Sequence, residues 1–326
     1  MQNALRQYAA VAAKHWRRSV AQTATAQQGQ NQLRQKPLGA PSATSTTYTR
    51  FRAQRAEDEA RFVRTRRKLA YGMISFIGGL FVARHTERAP YTDRLRFLAM
   101  NPKTENTIGL NQWNEIKTQF HGKILSNRDP YTRLVERVGS KIAQATGIKN
   151  FEWEFIVIDS PEVNAFCLPG GKVAVFRGLL DEIIQNEDEL AAVLAHEIGH
   201  ARQRHGAEKM GTVQILLIVQ LFLWAVLDLR FITDPLIHFI GTLPFSRKLE
   251  NEADYVGLIL MTEACYDPHA SPDVFRKMGE YSRKRGQAPP EYLSSHPSDA
   301  SRVKRIEADI PEVQAKYGAS CPIRYY

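Results

Sequence analysis

Hydrophobic and polar positions sort this chain into a small number of elements. Residues 151–159 read FEWEFIVID, with Phe151, Trp153, Phe155 and Val157 on one face, which predicts a strand. Pro169-Gly170-Gly171 predicts a turn, and KVAVF (172–176) a return strand, so a β-hairpin is expected just before a helix. That helix is the run DELAAVLAHEIGHARQRH (188–205), with Asn186 as N-cap and Glu189 three residues on, in capping-box spacing. Two apolar runs stand apart. LAYGMISFIGGLFVA (69–83) is uncharged, lies between Lys68 and Arg84, and has no polar face, which predicts a transmembrane anchor. Its 15 residues would span roughly 22 Å as a helix, short of a hydrocarbon core of about 30 Å. Lys and Arg at its ends can snorkel across part of the gap. VQILLIVQLFLWAVL (213–227) is a second apolar run, expected to form a buried or membrane-associated helix.

Charge changes the picture at the N-terminus. The 326 residues carry a net charge of +10, which alone would suggest a nucleic-acid partner. Residues 1–56, however, hold nine basic residues and no acid, while the remainder carries 35 basic against 34 acidic residues. Leu5, Tyr8, Ala12 and Trp16 lie at helical spacing among Arg6, Lys14, Arg17 and Arg18, and the tail is rich in Ala, Gln, Ser and Thr. Basic, hydroxyl-bearing and acid-free is the composition of a mitochondrial transit peptide or of a disordered basic tail, not of a secretory signal. The near-neutral body and the lack of a recognition motif argue against nucleic acid. The flank 54–68 holds six basic residues and the flank 84–98 four, so the N-terminus is expected in the matrix and the body in the intermembrane space. With 43% hydrophobic residues the body can bury a core, and Cys167, Cys265 and Cys321 show no thiolate metal spacing.

The candidate chemistry is His196-Glu197-Ile198-Gly199-His200. Residues i and i+4 share a helix face, so the two imidazoles can converge on one zinc ion, with Glu197 beside it as general base. A catalytic zinc takes three protein ligands and an open position. In the downstream segment SRKLENEAD (246–254), Glu250 can supply the third ligand. Asp254, one turn on, can fix the tautomer of a ligand histidine, and His205 reads as a further residue behind the ligands or as packing.

HEIGH followed by ENEAD resembles the HExxH…ExxxD pattern of the gluzincin peptidases that include HtpX and the CaaX prenyl proteases. NAFCLPGG (164–171) and SHPS (295–298) followed by Ser301-Arg302-Val303 resemble two further blocks of that family. With a transit-like tail and one anchor, the chain is similar to the Oma-type mitochondrial inner-membrane metalloendopeptidases over about 95–322. The resemblance implies an α+β, mostly helical fold: a gluzincin-type metallopeptidase domain with a small β-sheet, preceded by one transmembrane helix. It implies one Zn²⁺ per subunit on His196, His200 and Glu250, catalysis by Glu197, and an oxyanion donor in His296. Asn164, Ala165 and Phe166 then belong to an edge strand that pairs with an extended substrate. The implied partners are inner-membrane protein substrates and membrane lipid, with a homo-oligomer possible and no nucleic acid. The implied role is ATP-independent cleavage of inner-membrane proteins in quality control and stress response; no GxxxxGK[ST] signature is present. The alternative is a proteolytically inactive membrane scaffold of the same fold.

One topological constraint follows. His200 and Glu250 must reach one ion, so the chain crosses the membrane an even number of times between them. Segment 229–245 holds Arg230, Asp234, His238 and two prolines, which are costly in lipid, so no crossing is expected. A body in the intermembrane space would allow Cys265 and Cys321 to pair, leaving Cys167 free.

Overall fold

The computed structural model describes residues 43–227, 243–285, 292, 296 and 300–321. The chain divides into two units between Gly78 and Gly79. The first contains most of a long helix, α1 (Ala43–Arg84). Residues 43–56, expected to belong to the tail, are thus helical; the rest of the transit-like segment lies outside the described residues. The apolar run 69–83 forms the C-terminal end of α1, with Leu69, Met73, Ile74, Phe76, Ile77 and Leu80 exposed. Among the described residues no helix is long and apolar enough to cross a membrane, which corrects the expected transmembrane helix. The reason is length: the preceding turns of α1 carry Arg61, Arg64, Arg66 and Lys68, and Arg84 closes the apolar run.

The second unit begins with a two-stranded antiparallel hairpin, β1 (Thr86–Arg88) and β2 (Leu95–Phe97). Two helices follow, α2 (Pro102–Gln119) and α3 (Pro130–Ala145). Each opens on an Asx cap followed by proline: Asn101 accepts from the Thr104 N–H and Asp129 from the Tyr131 N–H.

A three-stranded sheet is built from β3 (Glu154–Ile158), β4 (Ala165–Leu168) and β5 (Lys172–Phe176) in the order β3-β5-β4. The hairpin expected around Pro169-Gly170-Gly171 exists, but its first strand is β4; the 151–159 strand instead runs parallel to β5. Gly170 and Gly171 have φ of 86° and 85°, a region open to glycine, which is why this turn can close. The alternation in 151–159 implied one buried face, yet both are covered. Trp113 of α2 packs with Ile156, Ile158, Ala174 and Phe176 on one side. Val157, Val173 and Val175 face Val135, Val138 and Ile142 of α3 and the next long helix on the other.

After the short α4 (Arg177–Glu182) comes α5 (Glu187–Arg202), buried from Glu189 to Gly199. Asn186 Oδ1 accepts from the Glu189 N–H at 2.9 Å, and the Glu189 carboxylate returns to the Gln185 N–H. The remaining helices are α6 (His205–Leu227), α7 (Leu243–Glu263), α8 (Ala270–Arg285) and α9 (Ala300–Tyr317). The 213–227 run is the C-terminal part of α6, and residues 228–242 of the segment after it lie outside the described residues. α5 crosses α7 closely at two glycines: a Cβ on Gly199 would lie 3.2 Å from the Ala253 carbonyl oxygen, and one on Gly257 3.3 Å from the His196 nitrogen. Cys265 and Cys321 form a disulfide with Cα atoms 5.4 Å apart, the pairing the sequence analysis allows. Cys167 is a free, half-buried thiol.

Candidate metal centre

The close α5–α7 crossing sets the site. His196 and His200 project from one face of α5 toward Glu250, which α7 presents one turn before Asp254. His196 Nε2 lies 3.1 Å from His200 Nε2 and 3.3 Å from Glu250 Oε2, and His200 Nε2 lies 3.5 Å from Glu250 Oε1. Ligand atoms about 2.0–2.1 Å from a tetrahedral zinc stand about 3.3 Å from one another. The three donors therefore have the spacing that a zinc ion requires, and two imidazoles with a carboxylate are a catalytic zinc donor set.

The electrostatics agree. Burial pushes His200 well below its usual pKa, so its ring is neutral as a ligand must be. Burial also opposes charge on His196, but hydrogen bonding to Asp254 and Glu250 outweighs it and raises its pKa to about 9, so without a metal this ring holds a second proton, which a zinc ion would have to displace. Burial likewise opposes ionisation of Glu250, yet hydrogen bonds to His196 and His296 hold its carboxyl far below the carboxylate range. Glu197 is buried, and its Oε1 has no hydrogen-bond partner among the described residues. A buried carboxylate oxygen beside a donor set calls for a ligand such as water.

His296 enters the same group. Its Nδ1 lies 2.8 Å from Glu250 Oε2 and 3.2 Å from His196 Nε2, and its Nε2 is 3.5 Å from Glu197 Oε1. The resemblance implies an oxyanion donor in His296; in the structure its ring lies among the candidate ligand atoms of His196, His200 and Glu250, all within 4.8 Å of one another.

Both candidate ligand histidines are held from behind. Asp254 Oδ1 lies 2.9 Å from His196 Nδ1, which sets the proton there and the lone pair on Nε2. His205 Nδ1 stands 2.8 Å from His200 Nδ1, and burial, opposed by Glu252, lowers the His205 pKa. Sequence reasoning gave no role to Arg302. It is almost fully buried, donates to both Asp254 oxygens at 2.8 and 2.9 Å, and lies over the Phe275 ring at 3.9 Å. Its position in the Ser301-Arg302-Val303 block was the available signal.

A cleft of about 270 Å³ opens onto the centre, lined by Glu197, His200, Glu250 and His296 and by Phe166, Cys167 and Pro169 of the β4–β5 hairpin. Among the described residues no strand pairs with the outer edge of β4. The Phe176 N–H donates to the Asn164 carbonyl, so the backbone groups of Ala165 and Cys167 face outward. The Asn164 side chain takes up the Ala165 N–H at 2.9 Å, leaving the Cys167 N–H on the open edge. Of the expected substrate strand, Phe166 lines the cleft together with Cys167, while Asn164 and Ala165 precede them in the chain and are not among its lining residues.

Comparison with known proteins agrees with this geometry. The family model described as peptidase family M48 matches residues 131–310. The chain is 38% identical over 247 residues to the mitochondrial metalloendopeptidase OMA1 of Schizosaccharomyces pombe, covering 76% of this chain and 73% of that protein. It is 33% identical to the Saccharomyces cerevisiae protein of the same name, covering 74% of each. Against the human metalloendopeptidase OMA1 the identity is 33% over 275 residues, and the match spans about half of that protein, 52%. A set of side chains on two crossing helices that could hold a metal ion and a family match over more than half of the sequence lead to one conclusion: the chain belongs to peptidase family M48.

Proposed function

We propose that this protein is an ATP-independent zinc metalloendopeptidase that cleaves proteins of the mitochondrial inner membrane. The observation that carries the reading is the convergence of His196, His200 and Glu250 at zinc-ligand spacing, with, beside them, a buried Glu197 oxygen that accepts no hydrogen bond among the described residues. His196, His200 and Glu250 hold the ion. When bound, zinc supplies Lewis acidity, polarising the scissile carbonyl and lowering the pKa of a coordinated water toward about 7. Glu197 takes the proton of the attacking water and delivers it to the leaving amine. His296, hydrogen-bonded to Glu250, would donate to the developing oxyanion. An extended substrate pairs with the outward backbone of β4, which suits an enzyme acting on many sequences. The intact ligands and Glu197 argue against an inactive scaffold.

The exposed apolar end of α1 seats in the membrane, with Arg64, Arg66 and Lys68 at the headgroups. The Cys265–Cys321 disulfide supports a catalytic domain in an oxidising space, the intermembrane space, rather than a glutathione-reduced one. Two measurements test the proposal. A zinc chelator abolishes cleavage of an unfolded protein substrate by the purified full chain, and added Zn²⁺ restores it. Alkaline carbonate leaves the chain in the mitochondrial membrane pellet. Cleavage that survives the chelator, or release by carbonate, overturns the corresponding half.

A further inference from the structure

Behind the metal centre lies a cluster of charges that the catalytic reading does not use. Glu208 of α6 and Glu252 of α7 have side chains only 2% and 4% exposed. Buried carboxylates need a cation and hydrogen bonds. Arg94, at the end of the β1–β2 turn, supplies both. It donates to Glu208 through Nη1 and Nη2 at 2.6 and 2.7 Å, and to Glu252 through Nε at 2.7 Å. Thr92 Oγ1 donates to the other oxygen of Glu252. The turn bends to do this: Tyr91 and Asp93, on either side of Thr92, adopt φ of 66° and 52°, unusual for residues with a side chain. The hairpin is pinned to the end of α5 as well, with Gln203 Nε2 donating to the Pro90 carbonyl at 2.6 Å and Arg96 to the Gln203 carbonyl.

From this cluster a hydrogen-bonded line runs to a metal ligand. Glu252 Oε2 stands 3.2 Å from His205 Nε2, and His205 Nδ1 stands 2.8 Å from His200 Nδ1. Glu252 accepts from Arg94 and Thr92, and the remaining approach to Oε2 is from His205, which therefore carries its proton on Nε2 and donates it to Glu252. Its Nδ1 is then an acceptor for the His200 Nδ1–H. That leaves the lone pair of His200 on Nε2, the nitrogen that faces His196 and Glu250. Orientation of a ligand histidine through its second nitrogen is a general way to strengthen a metal centre.

We propose that the β1–β2 hairpin is a positioning element of the metal centre, in which Arg94 fixes the tautomer and orientation of His200 through Glu252 and His205. The hairpin lies outside the family match at 131–310 and begins at Thr86, directly after α1 ends at Arg84. Phe81 at the end of α1 packs edge-on against Phe97 of β2 at 6.1 Å. The element that leads out of the long helix therefore also sets the ligand geometry of the peptidase domain.

This inference rests on the metal centre proposed above, and binding measurements separate the two. Zinc affinity of the full chain is measured by competition with a chromogenic chelator, and ligand geometry by visible absorption of the cobalt-substituted protein. Arg94→Gln is expected to weaken zinc binding about 10- to 100-fold and to alter the cobalt spectrum. Arg94→Lys keeps the charge without the fork and is expected to recover part of the loss. Glu252→Gln keeps the shape, gives the same two changes, and serves if Arg94→Gln does not fold. Lys277→Met is the control: it breaks the half-buried ion pair with Glu189 at the far end of α5 and is expected to cost stability while leaving both readouts unchanged. Zinc affinity and a cobalt spectrum equal to the unsubstituted protein in a folded Arg94→Gln or Glu252→Gln overturn the inference, as does an equal change in Lys277→Met. Failure of the unsubstituted chain to bind zinc overturns the metal centre itself.

Discussion

Asp254→Asn tests how the centre is held, because it keeps the shape of the side chain and changes only charge and donors. Asp254 Oδ1 faces His196 Nδ1 at 2.9 Å and Arg302 Nη2 at 2.8 Å, and Oδ2 faces Arg302 Nε at 2.9 Å. Every neighbour is a donor. An asparagine has one acceptor oxygen, so its amide must abut a donor in either orientation. With the oxygen in place of Oδ1, the amide meets Arg302 Nε, and a guanidinium only 4% exposed loses its counter-charge. Breaking a buried pair in this way costs about 3–5 kcal/mol. Glu250 Oε2, 3.7 Å from Arg302 Nη2, retains part of the attraction, so the lower end, about 3 kcal/mol, is expected. With the amide turned over, it meets His196 Nδ1, and the proton of His196 moves to Nε2, the ligand atom. That weakens zinc about 10- to 100-fold, or about 1.4–2.8 kcal/mol. Urea unfolding of the zinc-free protein reads the first cost, and zinc competition reads the second. A variant within about 0.5 kcal/mol of the parent in both assays refutes the reasoning.

Other parts of the account are open to the same kind of test. Cys167→Pro removes an outward N–H from β4 and is expected to lower kcat/KM on an extended peptide about 3- to 10-fold with zinc affinity unchanged; an unchanged kcat/KM argues against substrate pairing at this edge. Cys265→Ser opens a link between residues 56 apart and is expected to cost about 4 kcal/mol on the chain-entropy view, read by denaturant unfolding in the presence of zinc. Burial opposes ionisation of Glu154, but hydrogen bonds from Lys117 and Trp113 hold its pKa below the ordinary 4.5. Its stabilisation is therefore full above pH 4.5 and lost as pH falls through the depressed value. Lys117→Met should lower stability at neutral pH, with the difference from the parent shrinking in acid; a difference constant with pH contradicts the assignment.

Much of the site was legible in the sequence because it obeys local periodicity. His196 and His200 share a face by spacing alone, Glu250 and Asp254 do likewise, and the Asn186 cap marks where α5 begins. The parallel pairing of β3 with β5 was not legible, since the strand that closes the hairpin, Ala165–Leu168, is four residues long and has little alternation of its own. Arg94 and Glu208 stand in no motif or periodic pattern of the sequence, and Glu252 holds an unspecified position of the ExxxD pattern. Their meeting joins residues 114 and 158 positions apart, which no periodicity encodes. The helical extent of α1 was missed for a related reason: residues 43–68 present no apolar face that would announce a helix. Arg302 lay in plain view, but its burial depends on a counter-charge from another helix.

The central claim is that Glu197 moves the proton while His196, His200 and Glu250 hold the metal. Glu197→Gln in the full chain, assayed side by side for zinc content and for cleavage of a protein substrate, tests it most directly. The account predicts a full complement of one zinc per chain and a loss of cleavage of at least about 100-fold, the scale of a general base. Cleavage that persists with zinc bound, or zinc that is lost together with activity, would contradict it.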